Sequence, residues 1–126
     1  MANKNLFVVA PRLKSELDPA TSCIPGESRE EFAALQTEYF DLFAPADVME
    51  RFYVDDLIRN EWSIRRWRRV EGQLEKIPGG ERNLPTLLRM IGRLERSCKR
   101  TRAMLNRFQK ERRKALAAMP CPRRVM

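Results

Sequence analysis

The chain contains no histidine. That absence removes Ser-His and Cys-His nucleophile systems and every zinc motif built on imidazole. Cysteine is scarce as well: Cys23, Cys98 and Cys121 are far apart, odd in number and form no CxxC pair. Neither a zinc ligand set nor a disulfide framework follows from them. Cys98 fits as a small buried residue, and Cys121, between two prolines, as a free surface thiol. The five glycines match neither GxGxxG nor the phosphate-loop pattern. No apolar run approaches the roughly 18 residues that a membrane span needs. Leu6 to Ala10 is too short for a signal peptide and stops at Pro11-Arg12. The acid pairs Glu30-Glu31 and Asp55-Asp56 are sequence neighbours, and on a helix neighbours diverge by about 100°. These absences lead to the expectation of a cytoplasmic protein that is not an enzyme, with no metal, cofactor or small-molecule substrate.

What is present is helical periodicity. Leu57, Asn60, Ile64, Trp67, Glu71 and Leu74 recur at steps of three and four, as do Leu84, Leu87, Ile91, Leu94, Cys98, Thr101, Leu105 and Phe108. Such spacing places side chains on one helical stripe, whereas a half-buried strand alternates with period two. Between the two stripes stands Pro78-Gly79-Gly80, a turn signal. The fold class expected is therefore all-α: a long antiparallel, coiled-coil-like helical hairpin. In that register Leu74 faces Leu87, Trp67 faces Leu94, Ile64 faces Cys98 and Leu57 faces Leu105. Asn60 falls opposite Thr101, which predicts a polar pair that sets the register of the seam. Glu71 can reach Arg68 one turn back. Asn83 is placed to cap the returning helix, with Pro85 in its first turn.

Upstream, residues 1–27 carry Pro11, Pro19 and Pro25 and no helical stripe, and read as an irregular or loosely ordered leader. Ser28 with Glu31 forms a capping box ahead of Phe32, Leu35, Tyr39 and Leu42, predicting a short helix over 28–43. Pro45 interrupts, and Asp47 with Glu50 starts the first hairpin helix, expected to run to about Ile77. Val54, Ile58 and Trp62 form a second apolar line on that helix, off the hairpin seam. The short helix needs such a surface and should pack on this proximal half. Residues 28–119 thus form one three-helix domain, and 120–126 a disordered tail.

Charge is distributed unevenly. The net +8 divides into −5 for residues 1–50 and +13 for residues 51–126, and 19 of the 25 basic residues are arginine. Arginine favours bidentate phosphate contacts, although a GC-rich genome also enriches it. Arg89, Arg93, Arg96, Arg100, Arg107, Lys110 and Lys114 all fall opposite the apolar stripe of the second hairpin helix. The first four have no acid three or four residues away. On the first helix Arg66 and Arg69 likewise have no local partner, and Trp62 precedes Arg66 by one turn. Arg66, Arg69, Arg89, Arg93, Arg96, Arg100 and Arg107 are the candidate polyanion-binding residues. A solvated exterior is the plainer account of such a charge run, and Trp62 is expected under the short helix.

Two functional classes fit. The first is a small basic interaction protein, an assembly module for a protein partner or for self-association. The second is binding to a nucleic-acid backbone without sequence specificity. A membrane surface is disfavoured, because no apolar face is left free to insert.

Several blocks carry a family resemblance. Ile24-Pro25-Gly26-Glu27 with Glu31-Phe32 and Leu35, then Trp62 with Arg65-Arg66 and Arg69-Val70-Glu71, then Leu94-Glu95-Arg96 with Leu105, Phe108 and Gln109, span roughly residues 23–113. Together they resemble a group of uncharacterised small helical proteins of environmental bacteria. Members of that group often carry a longer basic, Asn/Gly-rich segment before the Pro-Gly-Glu turn, and the leader here is short and different. The resemblance implies an all-helical fold and carries over no functional residue.

Overall fold

The computed structural model describes residues 13–119. Leu6 to Ala10, Cys121 and the tail 120–126 fall outside these residues. Among the described residues four α-helices follow in order: α1 (Pro19–Ser22), α2 (Arg29–Phe43), α3 (Val48–Leu74) and α4 (Leu84–Ala118), and a 3₁₀ turn (Gly80–Arg82) precedes α4. No strand occurs among the described residues. None of these helices is long and apolar enough to cross a membrane. The long pair α3 and α4 packs closely and antiparallel, with the shorter helices on its side, as the periodicity predicts.

Local chemistry explains the helix boundaries. Ser28 Oγ accepts the Glu31 N–H at 3.1 Å and opens α2. Asp47 does the same for Glu50 at 2.8 Å and opens α3. Ala44 ends α2 in the left-handed region (φ 42°), and Pro45 prevents the helix from resuming. At the hairpin turn Gly79 takes a positive φ of 78°, which is accessible to glycine at no steric cost. Gly80 is required for a different reason: a Cβ there would collide with the Leu74 carbonyl oxygen. Asn83 stands at the start of α4 but makes no side-chain cap. Its backbone is already helical (φ −92°, ψ −8°), whereas a capping side chain needs the extended geometry seen at Ser28 and Asp47. The expected cap is therefore absent, and Pro85 sits in the first turn as anticipated.

The core lies where α2 meets the open end of the hairpin. Phe32, Leu35 and Phe40 of α2 bury against Val54, Leu57, Ile58 and Trp62 of α3 and Leu105 of α4. The Phe32 and Trp62 rings meet edge to face, centroids 5.1 Å apart. Leu42, expected in this core, is 68% exposed. At about 100° per residue, Phe43 returns within roughly 20° of Phe32 while Leu42 lags by about 80°. The true helical period therefore turns Phe43 inward, and Phe40 fills the far flank.

The polar pair in the seam also differs from expectation. Asn60 donates to Ser97 Oγ at 3.2 Å, and Thr101 donates to Asp56 Oδ2 at 2.9 Å. Two bonds, each offset by one turn, replace the Asn60–Thr101 pair. Thr101 has a carboxylate within reach, and a charged acceptor outcompetes a neutral amide. Arg68 reaches Glu71 at 3.1 Å as read, and Glu95 across the seam at 3.2 Å.

The described part of the leader is tied down. Asp55 accepts from Ser15 Oγ at 2.6 Å and from the Glu16 N–H at 2.9 Å. Gln36 donates to Ser15 Oγ and to the Leu17 carbonyl. Residues 13–18 run without helix or strand along the body, and Asp18 caps the single turn of α1. Buried carboxylate and amide groups on α3 and α2 offer donors and acceptors that a loose strand end would leave to water.

Candidate interaction surface

The seven candidate arginines fall into two groups. Arg66 and Arg69 do not belong to an open ridge. Arg66 grips Glu27 with both forks, Nε to Oε2 at 2.7 Å and Nη2 to Oε1 at 2.9 Å, and also donates to the Ser22 carbonyl. Arg69 reaches Glu27 Oε2 at 2.8 Å. Trp62 Nε1 and the Ile24 N–H complete the set of donors on Glu27 Oε1. The Glu27 side chain is only 5% exposed. Hydrogen bonds from Arg66 outweigh the cost of burial and, with those from Ile24 and Trp62, hold its carboxyl at about 2, well below the ordinary 4.5. The two residues expected to be unpaired are thus internal fastenings. Trp62 is buried as anticipated and carries the Arg69 guanidinium 5.9 Å from its ring centre.

A second clamp closes the open end of the hairpin. Glu50, 2% exposed, accepts from Ala46 N, Gln109 Nε2 and both forks of Arg112. Burial pushes its carboxyl up, but the bonds from Arg112, Ala46 and Gln109 outweigh that and the net shift is down. Gln109 also donates to the Phe43 carbonyl at 2.7 Å, satisfying the last turn of α2. Sequence spacing could not reveal either clamp. The i,i+4 rule detects partners on one helix, whereas Glu27 and Glu50 draw their side-chain partners from 35 to 62 residues away.

The other five candidates remain together. Arg89, Arg93, Arg96, Arg100 and Arg107, with Lys110 and Lys114, are all exposed on α4. They follow the 4-3-4 spacing of one helical line, broken only by Ala103. Among the described residues none of them forms an ion pair, and Arg89 contacts only Thr86 Oγ1, at 3.3 Å. Residues 84–118 hold eleven Lys and Arg against two acids, Glu95 and Glu111. From Arg89 to Lys114 the stripe runs 25 residue steps, which at 1.5 Å each is about 37 Å of cationic edge. No aromatic ring lies along it: Phe108, the aromatic residue of α4, is stacked on Tyr53 at 5.5 Å.

The described residues hold no cluster of three His, Cys, Asp or Glu side chains arranged to ligate a metal. Cys23 and Cys98 are free thiols, both pushed up in pKa chiefly by burial. No family model, curated protein sequence or solved structure matches the chain.

Proposed function

We propose that this protein is a non-enzymatic binding module whose contact surface is the outer face of α4, and that its ligand is an extended polyanion. The phosphate backbone of a nucleic acid is the ligand whose charge this face suits. The observation that carries the reading is the line of seven exposed cations on α4 with no acidic partner among the described residues. Arg66, Arg69 and Arg112 are each paired with a carboxylate, whereas this line is left to solvent among the described residues. Phosphate contacts position a protein on nucleic acid without reading sequence. The lack of an exposed ring on the stripe argues against base stacking and against a preference for single strands. Arg66 and Arg69, engaged with Glu27, take no part.

Seven phosphate contacts would make affinity fall steeply with salt, by about 0.9 of a log unit per contact for each tenfold rise. Titration of a random-sequence duplex between about 50 and about 200 mM salt measures that slope. Replacing Arg93, Arg96 and Arg100 with Gln should weaken binding and reduce the slope by about three, with helicity unchanged. A flat titration at the lower salt overturns the reading.

A further inference from the structure

The outer faces of α2 and α4 carry exposed charge of opposite sign. We propose that the protein self-associates through them, the outer face of α2 in one copy lying antiparallel along the basic stripe of α4 in another. The proposal rests on α4 being the accessible working face described above.

Three observations support it. Glu30, Glu31 and Glu38 of α2 are exposed and, like the α4 stripe, form no ion pair within the copy among the described residues. The apolar face of α2, Phe32, Leu35 and Phe40, is already committed to the core, so its acids point away from it. Unpaired acids on one helix and unpaired bases on another meet only between copies. The spacing also matches. With the two helices antiparallel, Glu31, Ala34 and Glu38 fall opposite Arg107, Ala103 and Arg100. The one break in the cationic line thus meets Ala34, a small residue midway between the two acids, which lets the helices approach at a short axial distance. Each copy offers one acidic and one basic face, so the contact is heterologous unless a twofold axis pairs both faces at once.

Sedimentation velocity at about 25 and about 300 mM salt tests this, because screening separates exposed charges beyond a Debye length. The expected result is a weight-average mass above the 14.8 kDa chain at the lower salt and the chain mass at the higher. The variant with Glu31→Lys and Glu38→Lys should be monomeric at both, as should the variant with Arg100→Glu and Arg107→Glu. Mixed in equal amounts, the two variants should associate again, since each supplies the face the other lacks, and that recovery shows both are folded. A monomer at low salt, or association that survives Glu31→Lys with Glu38→Lys, overturns the proposal. Its failure is separable from that of nucleic-acid binding: the Glu31→Lys, Glu38→Lys variant keeps the α4 stripe and should still bind duplex DNA.

Discussion

Arginine does two opposite jobs in this molecule. Arg66, Arg69 and Arg112 reach carboxylates that are 5% and 2% exposed, and each fastens a distant stretch of chain. Arg89, Arg93, Arg96, Arg100 and Arg107 meet no carboxylate among the described residues and stand exposed. The residue type is the same, and the helices that carry it are neighbours. What differs is whether the acidic first third of the chain folds over that surface. Its described part covers α3, and among the described residues the outer face of α4 is left bare.

The comparison is broken most sharply at Glu27. Replacing it with Gln leaves two guanidinium groups without their counter-charge and should cost about 3–5 kcal/mol, the usual penalty for opening a buried pair. Urea unfolding measures this, and a loss under about 1 kcal/mol would mean the clamp is not what holds the loop.

The pH dependence sharpens it further. With a folded carboxyl at about 2 against an ordinary 4.5, the contribution of Glu27 is complete above pH 4.5 and drains away as pH falls toward 2. That window should cost about 3 kcal/mol in the parent protein. The decline should be shallower in Glu27→Gln, whose stability no longer depends on that proton. Glu50, shifted in the same direction, adds to the decline in both proteins. Parallel acid-unfolding curves for the two would contradict the assignment.

The smallest effect belongs to the other side of the comparison. Arg93→Gln, Arg96→Gln and Arg100→Gln should each change stability by no more than about 0.5 kcal/mol. Any change should favour stability at low salt, since like charges repel along the stripe. Thermal melts at two ionic strengths read this, and a clear loss at any one site would expose a structural contact for that arginine.

The sequence allowed the helices to be read because their signals are local. Ser28 and Asp47 sit within three residues of the N–H groups they cap, and Val54, Ile58 and Trp62 mark a second buried edge by spacing alone. The α4 stripe was legible for the same reason: it is one helix face. Arg66 and Arg69 were misread because their partner, Glu27, arrives from another element, and no periodicity reports that. Asn60 and Thr101 were misread by one turn, since apolar register does not say which hydroxyl or carboxylate is nearer. The order of residues 13–18 was hidden because it depends on Asp55 and Gln36, whose roles appear only once α2 and α3 have met. The Pro-Gly-Glu turn and the Trp/Arg segment, noted as separate blocks, prove to be the two halves of one clamp.

The glycine turn has a kinetic consequence. Contacts beside Gly79 and Gly80 close loops of a few residues, whereas Glu50 and Arg112 are 62 residues apart. Since the entropy of closing a loop rises with its length, the two long helices are set to zip from the turn outward. Glu50 then latches the last rung, at the end of the rod where the core lies.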